Sequence, residues 1–316
     1  MTIVDGYMLN ARLEQLYREI LVLDPIHKVT LHVVEHIPDH VAANSYQEIR
    51  TNGEVIITAL SCPYTEALLS HELLHVYLVR KGFPNYFHLF EASHPIAHFG
   101  MALYNHVMHK LILGEQLKRG FDLTEYQQSL LHEPDADMAD MQEDEANPLN
   151  SFLYSQTILT MLILGGSDKE AFLQQFKAQL PQSYRIARRL QTAMNAQKYQ
   201  TPYETRLALV RTYLEFDQLV AETDLATLDL HFNIGVTYYP TNEQLHCTLP
   251  QLFVVRRLPL KNANGTPREI RHLVSREDGQ LSFLFDLRSM PDFDQKFSQM
   301  TLENLYRRLE QKPILR

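Results

Sequence analysis

Hydrophobic residues recur three and four residues apart near the start of the chain, and further on they alternate with polar residues. The helical spacing over 9–23 predicts an amphipathic helix. The segment 28–35 has the composition of a strand, and 42–50 and 54–60 flank Asn52-Gly53, a dipeptide typical of hairpin turns. The pattern therefore predicts a helix, a strand and a hairpin, in that order.

Helices dominate the middle of the chain and strands its end. Pro63 favours a helix start, and the apolar spacing predicts a helix over 64–80 that ends before Gly82. Pro95 is acceptable in the first turn of a second long helix, which extends to Lys118. Further helices are predicted at 150–164, 168–196, 203–222 and 300–311, strands at 229–239, 246–257, 269–276 and 281–287, and turns at Asn264-Gly265 and Asp278-Gly279.

This order of elements predicts an α+β fold in three parts. We expect an N-terminal domain over 1–124 with a small mixed sheet and an active-site helix. Residues 125–149 are predicted to be an acidic linker, because 132–146 contains seven acidic residues and neither lysine nor arginine. The remainder, 150–316, is expected to be helical and then β-rich, with a substrate-selecting or regulatory role.

Composition excludes several classes of protein. The chain has 316 residues, a net charge of −9 and two cysteines, so neither a disulfide framework nor a basic nucleic-acid-binding surface is expected. The longest apolar stretch, 151–166, contains serine, glutamine and threonine and is shorter than the roughly 20 residues of a membrane span. The N-terminus lacks the pattern of a signal peptide. We therefore expect a cytoplasmic protein with no membrane or nucleic-acid partner.

One sequence motif indicates a metal site. His71-Glu72-Leu73-Leu74-His75 falls inside the helix predicted over 64–80. Residues four apart share one face of a helix, so both imidazoles can point at one ion, and zinc accepts neutral imidazole nitrogens. Glu72 lies beside that face, which suits a base that takes a proton from water.

A hairpin, a helix with this motif and a second helix that offers another ligand resemble the zincin superfamily of metallopeptidases, over roughly residues 30–118. The resemblance implies a zincin-like N-terminal domain in which His71 and His75 bind Zn²⁺ and Glu72 activates the zinc-bound water. The third histidine of the metzincin pattern is absent from 76–85. A gluzincin-like or SprT-like arrangement, with the third ligand on a later helix, fits better.

The third ligand stays open among six residues of the segment 91–115. His98 is favoured, because it lies within the helix on a polar stripe and follows His75 after a gap of 22 residues. His109 lies on the same stripe, but it is about 16 Å from His98 along a helix, so the two cannot share an ion. The candidates are Glu91, His94, His98, His106, His109 and Glu115.

Three other residues could support the site. Asn105 could orient a ligand imidazole, with a surface amide as the equal alternative. Tyr104 or Tyr77 could donate a hydrogen bond to an oxyanion, although packing is the commoner role of a tyrosine.

The sequence thus predicts a cytoplasmic zinc metallopeptidase, a protease that hydrolyses a peptide or protein substrate. Glu72 would be its catalytic residue and His71, His75 and His98 its metal ligands. The alternative is a binding or regulatory protein on a zincin scaffold, in which the zinc is structural. The sequence does not indicate an oligomeric state or a cleavage specificity.

Overall fold

The computed structural model describes residues 3–4, 7–37, 44–90, 94–138, 143, 147–167, 169–261 and 267–316. The strands are β1 (Ile3–Val4), β2 (Tyr7–Met8), β3 (Val29–Val34), β4 (Ser45–Ile49), β5 (Val55–Leu60), β6 (Tyr86–Phe87), β7 (Gly235–Val236), β8 (Phe253–Lys261), β9 (Pro267–Ser275) and β10 (Leu281–Asp286). The helices are α1 (Ala11–Leu23), α2 (Thr65–Arg80), α3 (Pro95–Lys118), α4 (Thr124–Met138), α5 (Pro148–Leu164), α6 (Lys169–Gln179), α7 (Pro181–Asn195), α8 (Pro202–Ala221), α9 (Leu230–Asn233), α10 (Asn242–Leu245), α11 (Leu249–Leu252), α12 (Phe293–Lys296) and α13 (Leu302–Arg308).

This mixture of helices and small sheets confirms the predicted α+β class. The chain divides into two compact units. The first unit consists of Met1–Gly82 and Asn105–Arg188, and the second consists of Phe83–Tyr104 and Arg189–Arg316. The domain boundaries expected from the sequence, 1–124 and 150–316 with a linker between, stay a prediction. None of the described helices is long and apolar enough to cross a membrane.

A three-stranded mixed sheet lies in the first unit. Its strand order is β3-β5-β4, with β3 parallel and β4 antiparallel to the central strand β5. The hairpin predicted around Asn52-Gly53 is confirmed, and Gly53 adopts the positive φ of 81° that this turn requires. Since β5 lies between two partners, β4 is an edge strand of the sheet.

Helix α2 follows β5 directly and is buried along nearly its whole length. Every residue from Ala67 to Leu78 is buried, as is Thr65. At its start the Thr65 hydroxyl accepts a hydrogen bond from the amide of Cys62 and lies 2.8 Å from the carbonyl oxygen of Leu60. At its end the guanidinium of Arg80 donates to three carbonyl oxygens at the end of α1 and in the loop after it, those of Ile20, Asp24 and His27. Both ends of α2 are thus fixed to neighbouring elements.

Two helical predictions differ from the structure. Part of the expected acidic linker, 124–138, forms helix α4. The single helix expected over 168–196 is divided into α6 and α7, because Pro181 lacks the amide hydrogen that would continue α6 and instead occupies the first turn of α7.

The strand predicted over 229–239 is wrong for most of its length. The segment forms the short helix α9 and the two-residue strand β7. The carboxylate of Asp217 accepts hydrogen bonds from the amides of Leu230 and His231, and this satisfies the donors at the start of α9. Such a distant side-chain cap leaves no trace in the local hydrophobic pattern.

The second unit contains the antiparallel sheet β10-β9-β8. The turn predicted at Asp278-Gly279 joins β9 to β10, and Gly279 has a φ of 71°. The turn predicted at Asn264-Gly265 lies outside the described residues. One face of the sheet packs into an aromatic-rich core that includes Phe253, Phe283 and Phe293.

A buried cation stabilises this unit. Arg206 of α8 is 1% exposed, and its guanidinium donates to both carboxylate oxygens of Asp278. It also donates to the carbonyl oxygens of Val236 and Thr237 and to the hydroxyl of Ser282. One side chain therefore connects α8 to β7, to the β9–β10 turn and to β10.

We expect Arg206→Leu to lower the free energy of unfolding by roughly 3–5 kcal/mol, because the substitution leaves the carboxylate of Asp278 without its partner. Urea unfolding followed by circular dichroism measures the effect. The matched control is Arg307→Leu on α13, because Arg307 is exposed and contacts Glu303 and Asn304 in the preceding turn. An exposed helix ion pair of this kind contributes about 0.5 kcal/mol. Equal losses in the two variants would contradict the prediction.

Candidate metal centre

Helix α2 brings His71 and His75 together, as the spacing of four residues predicts. Both side chains are buried, and their ring centroids are 5.0 Å apart. The intervening Leu73 and Leu74 are fully buried on other faces of the helix. Because both side chains are less than 10% exposed, the two imidazoles face the interior of the first unit and not solvent.

A third imidazole comes from α3. The ring centroid of His109 lies 4.5 Å from that of His71 and 5.2 Å from that of His75. One ligand nitrogen from each of the three histidines lies within 4.8 Å of the others. The rings are nearly perpendicular to one another, and such edge-on approach allows three nitrogens to point at a common centre.

A hydrogen-bonded amide fixes α3 against α2 next to this cluster. The side-chain nitrogen of Gln116 donates to the carbonyl oxygen of Ala67 and to the hydroxyl of Ser70, at 3.0 and 2.8 Å. Gln116 is 1% exposed, so these bonds are buried. Gln116 meets the start of α2 while His109 meets residues one or two turns further on, which means that the two helices run in opposite directions along the cluster.

Burial keeps all three imidazoles in the form that can bind a metal. Desolvation lowers the pKa of His71 to about 4. It also holds the pKa values of His75 and His109 well below their usual range, and the neighbouring histidines lower them further. The Nδ1 atom of His71 is buried and has no hydrogen-bond partner among the described residues. The cluster is therefore a set of neutral nitrogen donors, the kind of set that zinc prefers.

Glu72 lies beside the cluster and not within it. Its carboxylate accepts a hydrogen bond from the Ser45 hydroxyl at 2.8 Å and another from the Gln47 side-chain nitrogen at 3.2 Å. Burial raises the pKa of Glu72 to about 7, although both hydrogen bonds oppose that shift. A carboxylate in this condition can both take up and release a proton near neutral pH.

Helix α4 adds a tyrosine to this neighbourhood. The ring centroid of Tyr126 is 6.5 Å from that of His71 and 6.0 Å from that of Tyr64. Helix α4 falls within the segment that the sequence predicted to be a linker, so sequence reasoning gave Tyr126 no role.

The structure does not bring His98 into the cluster. His98 is exposed on α3, and its ring approaches the edge of Phe99. His94 is also exposed; it stacks on Phe90 and accepts a hydrogen bond from the amide of Ile96. The choice of His98 as the third ligand stays a prediction. Of the five candidates that the structure describes, only His109 is grouped with the motif histidines.

The remaining candidates have other surroundings. His106 is buried and shares a hydrogen bond with Gln156 of α5, while Glu115 contacts Lys118 and Arg119. Asn105 is half-buried, and Glu91 lies outside the described residues.

The two tyrosines singled out as oxyanion donors are engaged elsewhere. The Tyr104 hydroxyl donates to the carbonyl oxygen of Pro84. The cationic groups of Lys81 and Arg119 each lie less than 5 Å from the centroid of the Tyr77 ring.

His109 was visible in the sequence as a member of the polar stripe on α3, one that cannot share an ion with His98. The stripe does not tell which of its histidines meets α2, because that depends on how far the two helices overlap. The hydrogen bond of Gln116 to Ala67 fixes this overlap, and His109 then lies beside His71 and His75.

No protein-family model matches the chain, and neither a curated protein nor a solved structure matches it.

We expect the purified protein to hold about one zinc ion per chain, and we expect His109→Ala to lose it, because that variant removes one of three donors. Mass spectrometry of the metal content measures this, with His71→Ala as the positive reference. His98→Ala is the matched control, since it removes an exposed imidazole from the same helix. Retention of zinc in His109→Ala together with loss in His98→Ala would contradict the assignment.

Proposed function

We propose that the protein is a zinc-dependent peptidase. The observation that carries the proposal is the combination of three neutral imidazoles, two buried and that of His109 half-buried, with the adjacent buried carboxylate of Glu72. Neither part alone would suffice, because histidine clusters also form structural metal sites and buried carboxylates also form structural hydrogen bonds.

The donor set supports zinc as the ion. Among the described residues the group contains three histidines and no fourth ligand. Structural zinc sites have four protein ligands as a rule, whereas catalytic sites have three and keep one position for water or substrate. This favours a catalyst over the alternative of a regulatory protein with a structural zinc.

Zinc bound by His71, His75 and His109 would act as a Lewis acid that polarises a peptide carbonyl and makes water a stronger nucleophile at neutral pH. Glu72 is the residue placed to handle the proton. Its carboxylate accepts a proton from the attacking water, and the resulting carboxylic acid returns that proton to the departing amine as the C–N bond breaks. A pKa near 7 suits both steps, because neither form of the side chain is strongly favoured at neutral pH.

The sheet offers a surface for an extended peptide. Strand β4 is an edge strand, and two of its side chains contact Glu72. Edge strands bind extended peptides through main-chain hydrogen bonds. A peptide paired with β4 would pass close to the carboxylate, which supports a peptide or protein substrate.

We expect Glu72→Gln to lower peptidase activity by about 10²–10⁴-fold while zinc stays bound, because glutamine keeps the shape of the side chain and cannot accept the proton. Hydrolysis of labelled casein measures activity, and mass spectrometry measures the metal. Glu48→Gln on β4 is the control, since Glu48 is exposed. Full activity of the Glu72→Gln variant would refute the mechanism.

A further inference from the structure

Both carboxylate oxygens of Glu72 are occupied by side chains of the edge strand. Ser45 Oγ donates to Oε1, and Gln47 Nε2 donates to Oε2. Glu72 is 7% exposed, so the protein and not solvent determines where this carboxylate points. Two donors on two oxygens fix the carboxylate plane as well as its position, because rotation about the last side-chain bond would break both bonds.

The geometry of β4 explains why these two residues act together. Side chains alternate between the two faces of a strand, so Ser45 and Gln47 share one face while Tyr46 and Glu48 project from the other. Ser45 pairs with Ala59 and Gln47 pairs with Ile57 on β5, and both partners are fully buried. The register of the hairpin thus aims two adjacent donors at α2.

The hydrogen bonds matter because Glu72 immediately follows a histidine of the cluster. A carboxylate oxygen is itself a zinc ligand, so an unrestrained Glu72 could bind the ion. The ligand atoms that lie within 4.8 Å of one another belong to His71, His75 and His109, and neither oxygen of Glu72 is part of this group. Its two partners hold it away from the three nitrogens.

We propose that Ser45 and Gln47 are positioning residues that hold the Glu72 carboxylate beside the metal and outside its ligand set. The inference rests on the proposed zinc peptidase function. Both residues act through Glu72, to which they donate hydrogen bonds. They keep the base directed at water, because a carboxylate that binds the ion loses the lone pair that accepts the proton.

Matched variants distinguish the effect of losing the hydrogen bonds from the effect of changing the packing. Ser45→Thr keeps the hydroxyl, whereas Ser45→Val has nearly the same shape as threonine and lacks the donor. Gln47→Met keeps the length of the glutamine side chain and removes its donor. Glu48→Ala, on the opposite face of β4, is the control for a general disturbance of the strand.

Kinetics on labelled casein give the first readout. We expect Ser45→Val and Gln47→Met to lower kcat by about tenfold each with KM nearly unchanged, because misplacement of a catalytic group affects the chemical step. Ser45→Thr and Glu48→Ala should stay close to the wild type. Equal activity of the Thr and Val variants would overturn the positioning role.

Cobalt(II) alone gives a second readout that needs no substrate. The visible absorption of Co²⁺ bound to the metal-free protein reports the ligand set. We expect the spectrum of the Ser45→Val, Gln47→Met double variant to differ from that of the wild type, because Glu72 then enters the ligand set. Adding Glu72→Gln should restore the wild-type spectrum, since glutamine is a poor ligand. An unchanged spectrum in the double variant would overturn the inference.

The two readouts distinguish the failure of this inference from that of the proposed function. Failure to bind Co²⁺ in the wild type, or full activity of Glu72→Gln, removes the proposed function and the inference with it. If the wild type binds Co²⁺ and its activity requires Glu72, but the double variant has the same spectrum and the same activity as the wild type, only the inference is refuted. If the Co²⁺ spectrum of the double variant differs from that of the wild type but the wild type does not cleave casein, the positioning of Glu72 is supported. The proposed peptidase function is then contradicted for this substrate.

Discussion

The structure of the first unit depends on the burial of α2 from Ala67 to Leu78. Over this stretch the helix has no solvent face for its polar residues, yet it carries Ser70, His71, Glu72 and His75. A buried polar group without a partner costs about 1–3 kcal/mol, and more when it is charged. Each polar side chain on α2 therefore requires a partner from a neighbouring element, and those elements are arranged accordingly.

The partners come from two directions. Gln116 of α3 satisfies Ser70, and Ser45 and Gln47 of β4 satisfy Glu72. The imidazoles are the exception, because they face one another with their charged forms suppressed by burial. Mutually facing neutral nitrogens gain little from each other and much from a shared cation, and this supports the proposed metal site.

The sequence predicts what is local in this site and misses what is not. His71 and His75 meet because the helix repeat places residues four apart on one face, and Asn52-Gly53 predicts the hairpin that supplies the edge strand. The third histidine depends on the overlap of two helices separated by a loop, and no periodicity encodes that overlap. Tyr126 was missed for a related reason, since the acidic composition around α4 hides its helical pattern. The short helix α9 was missed because its cap, Asp217, lies on another helix.

In the second unit, a deeply buried polar side chain has a purely structural role. Arg206 is more deeply buried than His71, Glu72 or His75. Each of its guanidinium nitrogens donates to a protein acceptor. Nothing about Arg206 invites a ligand, because no donor is left over. His71, in contrast, keeps a buried ring nitrogen without a partner among the described residues, and its neighbours His75 and His109 are neutral imidazoles that supply no counter-charge. Both units contain single buried polar atoms of this kind, among them an oxygen of Gln280 in the second unit. The α2 cluster differs because a nitrogen from each of three histidines lies within 4.8 Å of the others. That grouping, next to a carboxylate held in place by two hydrogen bonds, is the physical reason for proposing that the chemistry belongs to α2.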